Sequence, residues 1–443
     1  MSLFKLGKTR IPHRKNTAEM PAVRMSPPSE VEIPMSQHIG APATPTVKAG
    51  DKVFVGTLIG EAGGFVSAPI HSSVSGTVKK ISTYLMPNGR NCASIIIESD
   101  GEMTPDPTLS APKVTNFKEL SDAARAAGLV GLGGAGFPTS VKLDPAKIDK
   151  IDTLIINGAE CEPYITSDTR TMLDDAEFVR QGVNTVLDLS GIPRAIIGIE
   201  QNKPECIKKM KETFSNDARV SVVSLPSVYP QGGEKILIFN TTSRVVPEGA
   251  LPSDVGIIVM NVTTVAFLAK YLKTGMPLVE KCLTVDGSAI KNPKNIIAPI
   301  GTRIGDVIEA AGGFSEEAGK IIYGGPMMGI AVYTTDAPVM KNNNAITAFS
   351  KKESKNPKTT NCIHCGRCVA ACPMGLTPTV FSKAMGFANS ADRAEMLDKA
   401  KVNLCIECGC CSFVCPAKRP LVESNKLAKA DLREFNAQKS SKN

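Results

Sequence analysis

The stretch CIHCGRCVAAC at 362–372, followed by Pro373, returns about forty residues later as CIECGCCSFVC at 405–415, followed by Pro416. Each run has the spacing C-x2-C-x2-C-x3-C-P, with Cys362, Cys365, Cys368 and Cys372 in the first and Cys405, Cys408, Cys411 and Cys415 in the second. At this spacing three cysteines of one tight loop take three corners of a [4Fe-4S] cube, and the fourth, beyond the turn, reaches across to the other cube. The expected sets are therefore crossed: Cys362, Cys365, Cys368 and Cys415 for one cluster, Cys405, Cys408, Cys411 and Cys372 for the second. Gly366 and Gly409 suit the turn each loop makes, and the small Ala370, Ala371 and Ser412 leave room beside a cube. Tetrahedral zinc takes two ligand pairs parted by a spacer, which gaps of two, two and three do not offer. Cys410 lies outside the pattern and reads as a spectator beside Cys411. The segment is a one-electron relay.

Of thirteen cysteines, nine fall between 362 and 415, which favours metal over disulfides; Cys92, Cys161, Cys206 and Cys282 are scattered and read as ordinary buried or free thiols. A chain of 443 residues, 42% apolar, has room for about three domains. The longest apolar stretch, VGIIVMNVTTVAFLA at 255–269, is too short for a bilayer span and is broken by Asn261, Thr263 and Thr264. The first residues lack a secretory signal, so a cytoplasmic location is expected. The net charge of +8 is spread along the chain, which does not suit nucleic acid and does suit an acidic protein partner or an anionic membrane face.

After an N-terminal segment, 1–30, short alternating runs bounded by Gly-Asp and Ser-Gly turns read as a small β module over 31–105. It is similar to the barrel-sandwich hybrid of lipoyl and biotinyl domains. The hairpin that would carry a modifiable lysine there reads APIHSSVSG, so no prosthetic arm is expected and His71 reads as a packing or surface residue. A Pro-rich link precedes alternating helix and strand patterns, an α/β domain over 115–270. Residues 271–348 suggest short strands around one helix, 355–425 the cluster domain, and 426–443 a polar, frayed tail.

Three loops of the α/β domain have the composition of ligand loops. GLGGAGFPT at 131–139 formally satisfies G-x-G-x-x-G, but residues 117–127 before it read as helix, whereas a dinucleotide fingerprint leaves a strand. Its glycines still let backbone amides approach a phosphate or a flat ring, with Lys142 available to an anion. NGAECEP at 157–163 leaves the strand TLIIN, and an extended loop turns Glu160 and Glu162 to opposite sides. YPQGGEKIL at 229–237 adds another glycine-rich loop, with Glu234 opening a helix.

GLGGAGFPTSVK, NGAECEPY and YPQGGEKI, followed by the cysteine runs, resemble the flavin- and NADH-binding subunit of respiratory complex I. With the N-terminal QHIGAP and GFVSAPIHSSVSGTV stretches, the whole chain resembles the RnfC family, peripheral subunits of the Rnf ferredoxin:NAD oxidoreductase. The resemblance implies a multidomain α/β plus β architecture: a barrel-sandwich hybrid, a Rossmann-like flavin domain, a β-grasp (SLBB) module and a two-cluster ferredoxin domain. It sets FMN against Gly131, Gly133, Gly134, Lys142, Asn157 and Glu160, with Glu234 and Asn261 closing the site and Phe137 and Glu162 facing NAD(H). The complex I pattern has arginines where this chain has Val130 and Leu132, an aspartate at Ala159 and an aromatic at Pro145, which leaves less positive charge for phosphate and no second aromatic for the nucleotide.

A hydride carries two electrons and a cube accepts one, so a flavin between them is expected. The resemblance also implies integral membrane and iron-sulfur subunits of the Rnf complex as partners, with ferredoxin, at the cytoplasmic face of the inner membrane. Two alternatives stay open: a soluble relative such as a corrinoid reductase or amino-acid reductase partner, and an iron-sulfur wiring subunit without catalysis.

Overall fold

A computed structural model of the chain describes residues 9–440, so the ends of the N-terminal segment and of the tail lie outside the described residues. The β module is built from two small antiparallel sheets. One runs Glu30–Pro34, Asn91–Ser99, Gly76–Leu85 and Lys52–Val53; the other runs Thr44–Pro45, Leu58–Glu61 and Ile70–His71. Alternation along Glu30–Pro34 turns Val31 and Ile33 inward, where they meet Ile59, Ile70, Val78, Ile95 and Ile97. His71 is buried in this layer, and desolvation beside Lys341 pulls its imidazole down to about 3.

The α/β domain holds a four-stranded parallel sheet in the order Val220–Leu225, Ala195–Glu200, Thr153–Gly158, Ile257–Asn261. Ala195–Glu200 is buried along its whole length, as expected of a strand covered on both faces by helices. The chain winds outward from Thr153–Gly158 in one direction and then returns to pair Ile257–Asn261 on its other side. That reversal is the topological switch point, where open α/β sheets form a crevice beyond their strand ends. The glycine loop comes before the first strand and follows the helix Phe117–Ala126, so the strand-to-helix fingerprint is not formed.

The next sheet has six strands, ordered Val23–Arg24, Lys294–Pro299, Glu280–Asp286, Ala345–Ser350, Ala318–Tyr323, Ile330–Val332, with the helix Ile304–Ala310 packed on its apolar face. Its first strand comes from the N-terminal segment. That segment is therefore not a separate extension: Thr9 bridges Tyr229, Tyr164 N–H donates to the His13 carbonyl, and Asn295 Nδ2 donates to the carbonyls of Thr17 and Met20. No helix among the described residues is long and apolar enough to cross a membrane.

The tail requires a correction. Residues Leu421–Ser440 form one helix of 20 residues. Its apolar positions are sparse, but Ala428 and Leu432 are buried against Phe381, Ala394 and Leu397, and Arg393 pairs with Asp431 at 2.7 Å. A polar composition hid a helix that closes the cluster domain. Leu432, 2% exposed, is expected to cost about 2–4 kcal/mol on truncation to alanine. Denaturant unfolding of the iron-loaded chain checks this, because a frayed tail residue would cost nothing.

Candidate functional site

The cleft lies where Thr153–Gly158 and Ile257–Asn261 end, and their register sets Asn157 opposite Asn261. Asn261 caps the helix Val262–Thr274: its Oδ1 accepts from the amides of Thr263 at 2.9 Å and Thr264 at 3.2 Å, while Nδ2 donates to Asp168 at 2.8 Å. The glycine loop is seated on this helix start, since Leu132 N–H donates to Thr264 Oγ1 at 3.0 Å. Gly133, Gly134 and Ala135 remain exposed above it. A Cβ on Gly133 would meet Asn261 Nδ2 at 2.1 Å, whereas Gly134 faces open space. Such a cradle of bare backbone over a helix N-terminus fits an anionic, flat ligand.

Other expected residues are tied to the same strand ends. Lys142 Nζ donates to Glu234 Oε2 at 2.9 Å and to the Val259 carbonyl at 3.0 Å. Asn157 Nδ2 donates to the Gly232 carbonyl at 2.9 Å, which fastens the 229–233 loop to the sheet. Gly131 N–H donates to the Phe137 carbonyl, and Phe137 itself is half-buried. The structure thus gathers Gly131, Gly133, Gly134, Phe137, Lys142, Asn157, Glu234 and Asn261 at one crevice.

Glu160 and Glu162 do leave their loop on opposite sides, but neither carboxylate is free. Glu160, expected against the flavin, is buried and accepts from Asp168 N–H at 2.7 Å and Thr169 Oγ1 at 2.8 Å, holding the start of the helix Ser167–Asp174. An uncapped helix start takes a carboxylate readily, which is the physical reason for the inward turn. Glu162 accepts from the amides of Met327 at 3.2 Å and Met328 at 2.6 Å, in the GGPMMG loop of the six-stranded sheet. Withdrawal from water pushes its carboxyl up to about 7, against the pull of those two amides.

Two lysines not singled out by the sequence support these loops from behind. Lys15 Nζ donates to the carbonyls of Glu160 at 2.7 Å, Glu162 at 2.8 Å and Ile165 at 2.6 Å. Lys281 Nζ donates to the Leu132 carbonyl at 2.9 Å, beneath the glycine loop. Burial pulls both ammonium groups down to about 8. Lys281 sets a positive charge under a loop that lacks arginines at 130 and 132. No local pattern marked either lysine, because their partners lie more than a hundred residues away in sequence.

The two cysteine loops share one backbone path. His364 and Gly366 have φ of 55° and 72°, Glu407 and Gly409 of 58° and 78°, and each glycine opens a short helix, Arg367–Ala370 or Cys410–Phe413. One cavity is lined by Cys362, Cys365, Cys368 and Cys415, the other by Cys372, Cys405, Cys408, Cys410 and Cys411, so each expected crossed set falls within one cavity and Cys410 stands beside the second. All eight thiols are free. Backbone amides already aim at sulfur: His364 N–H at Cys362, Glu407 N–H at Cys405 and Leu376 N–H at Cys372, at 3.3–3.4 Å. Such donors stabilise charge on cluster thiolates. Among the described residues no three His, Cys, Asp or Glu groups close on a point as a single ion requires; the thiols instead surround a cavity, a donor set that fits a cube. Cys410 is fully buried beside Cys408.

The second cavity adjoins the crevice. Tyr229, Cys161, Met327, Ile406 and Cys408 pack in one apolar cluster, and Gly232 N–H points at Cys161 Sγ at 3.4 Å. The first cavity faces outward, with Cys365 exposed and Ile363 65% exposed. Replacing Cys408 with alanine is expected to lower iron from about eight atoms per chain to about four, whereas Cys410→Ala leaves it at about eight; iron analysis of reconstituted protein decides. Gly133→Ala is expected to push Asn261 off Asp168 and lower flavin occupancy at unchanged iron content, read from the ratio of flavin to iron.

Family models match the chain in this order: the RnfC barrel sandwich hybrid domain over residues 4–102, the Nuo51 FMN-binding domain over 124–270, the SLBB domain over 283–331 and a 4Fe-4S dicluster domain over 358–419. A further 4Fe-4S dicluster model matches 331–377. The corresponding subunit of the Na+-translocating ferredoxin:NAD+ oxidoreductase complex of Acetobacterium woodii is 46% identical over 96% of each chain. Its counterpart in the proton-translocating complex of Clostridium ljungdahlii is 45% identical over 83% of this chain and 81% of the relative, and that in the ion-translocating complex of Rhodobacter capsulatus 39% over 96% and 82%. A solved NAD+-reducing [NiFe]-hydrogenase in the H2-reduced state shares the fold, with a TM-score of 0.51 at 20% identity over 72% of this chain; the match spans 63% of that chain, less than two thirds of its length. With an FMN-binding domain, an SLBB domain and two cysteine-lined cavities in this order, and with relatives of this identity along its length, the chain belongs to the RnfC family of ion-translocating oxidoreductase complex subunits.

Proposed function

We infer that this chain is the peripheral electron-transfer subunit of an ion-translocating ferredoxin:NAD+ oxidoreductase complex, at the cytoplasmic face of the inner membrane, with the integral membrane and iron-sulfur subunits of that complex as partners. The observation that carries the reading is the contact between the crevice and the second cavity through the 229–233 loop. When bound, FMN supplies the conversion between two-electron exchange with NAD(H) and one-electron exchange with [4Fe-4S] clusters. The protein's part is position and exclusion of water. Gly131, Gly133 and Gly134 offer backbone to the flavin, Lys142 and Asn157 flank it, and Glu234 and Asn261 fix the walls. Glu160 acts from behind by holding the Ser167–Asp174 helix. Phe137 and Glu162 stand on the nucleotide side.

Packing orders the relay. The second cavity is covered by Tyr229, Met327 and Ile406 and so stands next to the crevice; the first, open to solvent, is the outer terminal. Glu162 favours a second reading, because its carboxylate is held by the Met327 and Met328 amides and not turned to an open cleft. In that reading the chain is wiring, and nucleotide chemistry takes place elsewhere. An anaerobic NADH titration of the reconstituted chain separates the two. Bleaching of flavin followed by the broad iron-sulfur absorbance is expected, and Glu162→Gln should raise the NADH needed while flavin content holds. If dithionite reduces both chromophores and NADH neither, the wiring reading stands.

A further inference from the structure

Three carbonyls on the approach to the glycine loop are taken by residues from outside the flavin domain. Leu278 N–H donates to the Ala127 carbonyl at 2.9 Å, Lys341 Nζ to that of Gly128 at 2.7 Å, and Lys281 Nζ to that of Leu132 at 2.9 Å. Lys281 is the one that reaches the loop itself. It stands in the strand Glu280–Asp286, where alternation sets it in one row with Leu283 and Val285, both in the apolar core of the six-stranded sheet. A lysine in such a row is costly to bury, and Lys281 is 3% exposed.

Its charge is not answered by contact. Among the described residues no carboxylate comes within ion-pair distance of Lys281; Asp168 and Glu160 act on it only as longer-range charges. The other cations of the region are matched more closely. Lys142 meets Glu234 at 2.9 Å, Lys203 meets Glu200 at 2.7 Å, and the strongest opposite charge on Lys15 is the buried Glu160. Without Lys281 the floor behind the crevice would hold three buried acids, Glu160, Asp168 and Glu200, against two buried lysines, Lys15 and Lys203. Lys281 evens that count, and an anionic ligand over a negative floor would be repelled.

Leu132 is held at both ends, by Thr264 at its N–H and by Lys281 at its carbonyl. The two anchors differ in kind. Thr264 fixes position alone, whereas Lys281 also adds a full positive charge beneath a loop that already lies over the partly positive start of the helix Val262–Thr274.

We propose that Lys281 is a positioning residue of the flavin site, contributed by the SLBB sheet, which holds the glycine loop by Leu132 and supplies the charge that makes the crevice prefer a phosphate-bearing flavin to an uncharged one. The proposal rests on the reading of the crevice as the FMN site. The ammonium, pulled down to about 8 by burial, is still charged at pH 7. The SLBB sheet is on this account a part of the flavin site and not only its neighbour.

FMN differs from riboflavin by its phosphate, so the two ligands separate charge from ring fit. The test titrates the full cluster-loaded chain, stripped of flavin, with each of them at pH 7 and follows the quenching of flavin fluorescence. Wild type is expected to bind FMN at least about tenfold more tightly than riboflavin. Lys281→Met keeps the alkyl stem and loses the charge; it is expected to weaken FMN by about tenfold and riboflavin by less than about threefold. Lys281→Gln keeps a donor for Leu132 without the charge and is expected to lose the preference in the same way, and it decides the comparison if the Met variant does not load iron. Thr264→Ala frees the other end of Leu132 without touching a charge, and is expected to weaken both flavins by the same factor. Equal affinity of wild type for the two flavins overturns the proposal. So does equal loss of both in the Lys281 variants, which would make Lys281 a strut alone, or a preference that the variants leave unchanged. Wild type that binds neither flavin would remove the FMN reading of the crevice, and the proposal with it.

Discussion

One buried ammonium group ties the redox region together. Lys15 brings its Nζ to three carbonyls of the 160–165 stretch, and from that stretch Glu160 runs to the Ser167–Asp174 helix, Glu162 to the GGPMMG loop, and Cys161 to the amide of Gly232. Removing an ammonium from water is costly unless its hydrogen bonds are replaced, and three carbonyls with a buried carboxylate nearby replace them. The flavin domain, the SLBB sheet and the inner cluster loop therefore meet around a segment locked from the N-terminal side. Lys203, paired with Glu200 at 2.7 Å and donating to the Glu160 carbonyl at 3.1 Å, adds a second tie from within the domain.

The relay's geometry follows from where two kinds of loop end up. A parallel sheet presents its ligand loops at the strand ends, and the 229–233 loop is one of them; the compact cluster loops need a flat apolar surface against which to bury one side. Tyr229 and Met327 provide that surface, so the inner cavity is capped by the same residues that border the crevice. The outer loop has no such cover and keeps its apolar side chains in solvent. Burial of one cavity and exposure of the other gives the domain a direction.

What was legible in the sequence was local. The crossed cysteine sets are an expectation from the spacing of the two runs and the glycine loop and Lys142 one from loop composition, whereas Glu234 in the flavin site is what the family resemblance implies. The failed fingerprint at 131–136 was legible too, since the preceding helix is written in Phe117, Leu120 and Ala124. Roles set by distant contacts were not. Lys15 and Lys281 act on loops far along the chain, Glu162 finds its amides in another sheet, and Val23–Arg24 becomes a strand only because Lys294–Pro299 offers an edge. The 421–440 helix was missed because it buries few side chains, too few for a clear periodic stripe, and is held by the domain it closes.

The crossed ligand sets also make the two metal sites mechanical parts. Cys372 leaves the first loop to serve the second cavity, and Cys415 returns from the second to the first, so each cube would be a clasp joining two stretches of chain separated by the helices Pro378–Ala384 and Ser390–Lys399. A site of this kind forms only when both stretches are folded together, so the free energy of ligand binding becomes folding free energy. Neither cube can be completed until the ribosome has released both loops. Assembly of the relay is for that reason a late event that waits on the second cysteine loop.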